Sequence, residues 1–174
     1  MLTELIVAGV ALSLMLALFI AIKVARRPKP NYIVVDGSNV MHWEDETPNL
    51  QSVVHVLRAL ESEGFTPVVW FDANAGYLTV GRYMGPGRLA RLLDLYERQV
   101  QVAAKGTPAD PLFLEAAVKL GARVVTNDRF RDWVEEFPQI REDGFLVRGR
   151  MSRDSFELEL GLGAERGRMG EGAV

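Results

Sequence analysis

The sequence has no cysteine and only two histidines, His42 and His55. The first absence excludes disulfide frameworks, thiolate zinc sites and cysteine nucleophiles. The second excludes a three-histidine zinc site and leaves little from which to build a histidine-based triad. There is no GK[ST] and no glycine fingerprint after the first apolar run, so neither a P-loop nor a dinucleotide site competes. Positive charge is also scarce: 20 Lys+Arg stand against 23 Asp+Glu, a net charge of −3. Residues 31–174 are more acidic still, with 16 basic and 22 acidic residues. Coating of nucleic acid by bulk charge is therefore excluded, although a local basic patch is not.

One stretch stands apart. Leu5 to Ile22 is 18 residues without a charge, which as a helix rises about 27 Å, near the roughly 30 Å of a bilayer's hydrocarbon core. A signal peptide would place basic residues before such a run. Here only Glu4 precedes it, and Lys23, Arg26, Arg27 and Lys29 come after it. The reading is a single transmembrane helix over residues 1–24, spanning through 5–22, with the basic flank holding the rest of the chain in the cytoplasm. Residues 25–30, with Pro28 and Pro30, form a short stiff linker. The expected location is the inner (cytoplasmic) membrane, single-pass, and a homo-oligomer formed through the span is compatible with it.

The body, residues 31–150, alternates short apolar runs with amphipathic segments. Strands are expected at 32–35, 67–71, 99–103, 122–126 and 145–147. Helices are expected from Thr47-Pro48 to Gly64, around Leu89 to Tyr96, from Asp110-Pro111 to Gly121, and from about Arg129 to Phe137. Residues 74–88, rich in glycine and aromatics, read as irregular. Strands apolar on both faces imply a parallel sheet covered on both sides, a three-layer α/β/α fold. Residues 151–174 read as a Gly-rich, disordered tail.

In an open α/β sheet, ligands bind beyond the carboxyl ends of the strands. There the chain offers Asp36, then Ser38 and Asn39, after the first strand and Asp72 after the second. Asp110 stands at a helix start, and Thr126, Asn127 and Asp128 come after the fourth strand. Asp132 would share a helix face with Asp128 at i and i+4. Acids gathered at one edge are costly unless something neutralises them, and hard divalent cations do so. Each acid also has an ordinary reading: Asp110 and Asp128 as helix caps, Asp132 as a solvated helix residue, Asp36-Gly37 as a turn, Asp72 as a loop residue. A haloacid-dehalogenase phosphatase would need an acid at position 38, where serine stands, and a response-regulator receiver would need acids before Asp36, where Val34 and Val35 stand.

Val35-Asp-Gly-Ser-Asn-Val40 resembles the first motif of the NYN branch of PIN-like nucleases, and within it the Regnase-type endoribonuclease domain. Ala109 to Trp133 (ADPLFLEAAVKLGARVVTNDRFRDW) is similar to that family's later motifs: an acid opening a helix, a strand ending in (S/T)-N-D, then (Y/F)-R-D. The resemblance covers about residues 32–148. It implies a PIN-like fold and a ribonuclease dependent on Mg²⁺ or Mn²⁺, with Asp36, Asp110, Asp128 and Asp132 as metal-site acids and Asn39 positioning substrate or water. Two departures stand out. Ala109 occupies the place of the first of two acids that the family often carries, and the Cys-rich zinc finger is absent.

The expected substrate is single-stranded RNA. Arg82, Arg88 and Arg91, interleaved with Tyr77 and Tyr83, suit phosphate contacts and base stacking. Lys105, Arg129 and Arg131 are further candidates for RNA contact; His42 and His55 read as structural, although His42, in the loop after Asn39, could reach the site. The competing reading is a non-catalytic RNA-binding module of the same fold, for which Ala109 speaks.

Overall fold

The computed structural model describes residues 9, 12–19, 29–45, 47–152 and 155–161. Residues 1–30 and 31–174 are separate units. In the first, Gly9 and residues 12–19 are helical and exposed, and Ser13 Oγ donates to the Gly9 carbonyl at 2.9 Å. No helix among the described residues is long and apolar enough to cross a membrane. The remainder of the anticipated span, and Lys23, Arg26 and Arg27 of its flank, lie outside them.

The second unit is built on five strands: β1 (Tyr32–Asp36), β2 (Thr66–Phe71), β3 (Val100–Val102), β4 (Arg123–Val125) and β5 (Leu146–Val147). They form one sheet in the order β3-β2-β1-β4-β5, and every pairing is parallel. β1 is central because nothing polar interrupts it before Asp36: Ile33, Val34 and Val35 have no solvent exposure. Alternation divides them between two cores. Ile33 and Val35 join Val53, Val56, Leu57 and Leu60 of α2 (Leu50–Ser62) and Leu89 and Leu93 of α4 (Pro86–Leu93). Val34 joins Phe113, Leu114 and Ala117 of α5 (Ala109–Leu120) on the opposite face. Two short helices, α1 (Gly37–Val40) and α3 (Ala75–Val80), come directly after β1 and β2. The connection leaving β1 thus covers one face and the one entering β4 covers the other. The cleft beyond the ends of β1 and β4 is the topological switch point, where open sheets bind ligands.

Several expectations are corrected. α2 begins at Leu50 rather than at Thr47-Pro48, because Asn49 is the cap, its Oδ1 accepting from Gln51 N at 2.9 Å. Residues 74–88 are not irregular. They hold α3, which buries only Ala75 and Gly76 and so shows no apolar stripe to a sequence reader. No α-helix runs from 129 to 137. Phe130 takes a left-handed backbone (φ 46°), and only a 3₁₀ turn, Arg131–Trp133, comes after it. Its ring packs edge-on against Phe113, 5.6 Å between centroids, so burial of the aromatic outweighs continuation of a helix. The tail does not begin at 151 either. β6 (Gly149–Met151) and β7 (Phe156–Leu158) form an antiparallel ribbon whose Met151 and Leu158 join the α2 core. Residues 162–174 lie outside the described residues.

Candidate active site

The end of β1 is shaped by a space constraint. A Cβ on Gly37 would stand 2.5 Å from the Phe71 ring, so only glycine lets the chain turn into α1 against β2. That turn leaves Asp36 as the N-cap of α1, its Oδ1 accepting from Asn39 N at 3.0 Å. Its other oxygen, Oδ2, accepts from the Thr126 hydroxyl at 3.0 Å. Thr126 Oγ in turn accepts from Asp128 N at 3.1 Å, so one buried hydroxyl links the acids ending β1 and β4. The adjacent edge is fixed in the same way: Asp72 N donates to Ser38 Oγ at 2.9 Å.

Asp36 is only 7 % exposed. Burial pushes its pKa up to about 7; the Asn39 and Thr126 hydrogen bonds oppose the rise, and Asp110 and Asp72 add to it. The Asp110 pKa is raised by burial and by Asp128 and Asp72, against a hydrogen bond from the Trp133 side chain. Four acids therefore share one electrostatic field: Asp36, Asp72, Asp110 and Asp128. None is in an ion pair among the described residues. Asp110 is not the cap of α5, because Pro108 holds that position and the helix has no side-chain cap bond. Its carboxylate is left for the cleft. Asp128 does serve locally, with Oδ1 accepting from Phe130 N at 2.8 Å.

Asp132 lies elsewhere in kind. It is exposed in the 3₁₀ turn, without a hydrogen bond to the four acids. The helix face that was to align it with Asp128 does not form. Asn39 Oδ1 is taken up by two donors, Trp43 Nε1 at 2.7 Å and Asn127 N at 2.9 Å. Its carbonyl thus ties the β1 loop to the β4 loop, and only its amide nitrogen remains to meet a substrate.

The sequence reading placed Asp72 after the second strand but kept it as a loop residue, and it missed Arg148. The strand-end rule, extended to the fifth strand, would have found the latter, since Arg148 comes directly after β5. Arg148 Nη1 donates to the carbonyl of Thr126 at 3.1 Å and to that of Asp128. Burial and the nearby Arg129 lower its pKa, while Asp128 and Glu159 act the other way.

The donors available to a metal are oxygens only, which suits a hard divalent cation. A ready-made cage is not present: among the described residues no three His, Asp or Glu side chains stand close enough to hold an ion. Mg²⁺ does not need one, since it keeps several waters and binds through one or two carboxylates plus substrate phosphates. Buried Asp36, lacking a cationic partner, fits that requirement.

The anticipated RNA contacts, Arg82, Arg88, Arg91, Lys105, Arg129 and Arg131, are all exposed at the surface. Tyr77 and Tyr83 are more than half exposed, and Leu78 and Val80 of α3 are about half exposed. Arg82 lies just past α3, Arg88 and Arg91 lie on α4, and Lys105 sits in the turn before α5. His42 is exposed in the turn after α1.

Residues 29–147 match the model of the Zc3h12a-like ribonuclease NYN domain. Among solved structures, the chain is similar to nuclear proteinaceous RNase P 2 (PRORP2) from Arabidopsis thaliana, at 20 % identity and a TM-score of 0.59, over 78 % of this chain and 31 % of that one. A second structure of the protein-only PRORP2 from Arabidopsis thaliana gives 18 % identity and a TM-score of 0.54, over 86 % and 34 %. The chain thus spans about a third of the length of these structures. At such identities the likeness speaks for the fold. No curated protein matches the chain.

Proposed function

Because the chain belongs to the Zc3h12a-like ribonuclease NYN domain family, we propose that it is a metal-dependent endoribonuclease acting on single-stranded RNA. One observation carries the reading: four coupled acids, one of them buried and without a cationic partner, stand at the switch point of the sheet. Of Asp36, Asp110 and Asp128, one or two would hold Mg²⁺ or Mn²⁺ directly, with waters and substrate phosphate completing the shell, and the remaining acid and Asp72 would add to the negative field. Asp132 is carried over on resemblance alone. The ion would supply a water of lowered pKa and neutralise charge growing on the phosphodiester.

The chain's own groups do the rest. Thr126 holds the Asp36 carboxylate and the Asp128 backbone in one arrangement. Asn39 locks the β1 and β4 loops together. The arginines beside Tyr77 and Tyr83 grip phosphates and the tyrosines stack bases, a mode that does not depend on sequence. The uncharged run 5–22 and its basic flank support tethering to the cytoplasmic membrane, with the nuclease domain on the cytoplasmic side.

The test is turnover of single-stranded RNA with Mg²⁺ or Mn²⁺, with and without chelator, for the parent and for Asp36→Asn, Asp110→Asn and Asp128→Asn. Loss by orders of magnitude in the variants is expected. A second reading, a non-catalytic RNA-binding module, draws on Ala109 and on the lack, among the described residues, of three converging ligands. It becomes the better one if the parent binds RNA but neither cleaves it nor responds to metal.

A further inference from the structure

The segment after residue 147 lies beyond the stretch that matches the family model, yet it is wired into the cleft. Arg148 reaches back to the carbonyls of Thr126 and Asp128 through a single nitrogen, Nη1. The next residue is clasped from the same loop: Asn127 Nδ2 donates to the Gly149 carbonyl at 2.9 Å, and Gly149 N donates to Asn127 Oδ1 at 3.2 Å. A Cβ on Gly149 would run into the Trp43 ring, and Trp43 is bonded to Asn39. The ribbon's second strand is anchored at the same end, since Arg123 Nη1 donates to the Leu160 carbonyl at 2.7 Å and Glu159 N to the Arg148 carbonyl at 2.8 Å.

We propose that Arg148 is a positioning residue for Asp128, and that the β6–β7 ribbon is the brace that holds it there. The inference rests on Asp128 being a site acid, as proposed above. The loop 126–130 needs such support. It has left the sheet, it is not helical, and it passes through the left-handed Phe130. Two of its carbonyls point away from any strand partner, and a guanidinium satisfies both with donors in a fixed plane. A lysine, with a similar stem and the same charge, lacks that planar array and would hold the pair less firmly. Beyond orientation, the arrangement keeps a cation beside the acids without an ion pair: Arg148 gives Nη1 to the carbonyls, and the Asp128 carboxylate keeps only its bond from Phe130 N, with no ion-pair partner among the described residues.

The experiment compares the full-length parent with Arg148→Met, which keeps the stem and loses the donors, and with Arg148→Lys. Backbone amide exchange is read first, because it needs no activity. In Arg148→Met the Asp128 and Phe130 amides, bonded to Thr126 Oγ and Asp128 Oδ1, should exchange at least tenfold faster, while Val34 and Val124 stay within twofold. Arg148→Lys should fall between. Equal exchange in all three proteins overturns the proposal whether or not the protein is a nuclease. Cleavage is read second. Arg148→Met should lower kcat tenfold or more and raise the Mn²⁺ concentration for half-maximal rate several-fold, with KM for RNA and RNA affinity in chelator within twofold, and Arg148→Lys should restore part of kcat. A fivefold loss of RNA affinity in chelator would make Arg148 a phosphate contact instead. Unchanged kcat and metal requirement with a lowered Tm would make it merely structural. If the parent does not cleave, the nuclease reading fails on its own, and the exchange data still decide the role of Arg148.

Discussion

Replacing Asp36 by asparagine in the absence of metal should stabilise the protein far more at pH 8 than at pH 5. The Asp36 carboxyl rises from 3.8 to about 7 on folding, roughly three units, and each unit is about 1.4 kcal/mol of preference for the neutral form. A raised acid binds more protons folded than unfolded. Its contribution is therefore fully present below the unfolded value and lost as pH climbs through about 7. By pH 8 the parent bears an order-of-magnitude cost of about 4 kcal/mol from this one charge. Asparagine carries no charge, and its carbonyl still accepts from Asn39 N. It forfeits the Thr126 hydroxyl's acceptor, worth about 1 kcal/mol. The net gain should approach about 3 kcal/mol at pH 8, or roughly 6–12 °C in Tm for a domain of this size. At pH 5, about one unit above the unfolded value, the cost is already about 1.6 kcal/mol, so the net gain should shrink to below about 1 kcal/mol, and only below about pH 4 should it vanish or turn slightly negative. Urea denaturation in chelator at the two pH values measures it. A stability difference that is the same at pH 5 and pH 8 would refute the claim that Asp36 is a buried charge awaiting a counter-ion. Added Mn²⁺ should then largely close the gap, stabilising the parent by about 2.7 kcal/mol at a hundred times its Kd and Asp36→Asn far less.

The same geometry sets other outcomes. Replacing Arg82, Arg88 and Arg91 together with alanine should weaken RNA binding and flatten its salt dependence, since each phosphate contact releases counterions; filter binding from low to high salt reads this, and an unchanged slope moves the grip elsewhere. Asp132→Asn should leave Tm unchanged because the side chain is exposed and unbonded; parent-like cleavage in that variant would remove Asp132 from the site. Gly37→Ala should destabilise by about 1–3 kcal/mol, the usual cost of overpacking, because the new Cβ meets the fully buried Phe71 ring; thermal denaturation measures it, and a neutral result would show that β2 yields. A reporter fused after Val174 should be active in the cytoplasm and silent outside, and cleaved protein beyond the membrane would overturn the anchoring.

Features that depend on neighbours along the chain were legible in the sequence. Ile33, Val34 and Val35 read as a strand buried on both faces because an uninterrupted apolar run has no face to give to water. The stop of α5 at Gly121 was legible because a left-handed residue ends a helix (φ 60°). The strand-end rule also gathered Asp36, Asp110 and Asp128 at one edge, because in a parallel sheet the carboxyl ends all point the same way. Features that depend on partners far apart in the chain were decided by the tertiary structure alone. Asp72 and Asp36 are bound into one field by the β1–β2 pairing. Asp110 was freed from capping because Pro108 took that position. Asp132 was separated from Asp128 because burying Phe130 against Phe113 cost the helix that periodicity implied. The ribbon of β6 and β7 was hidden in a glycine-rich tail because its pairing energy lies across the turn and its anchors, Asn127, Trp43 and Arg123, lie roughly 20 to more than 100 residues away, where no local pattern reaches.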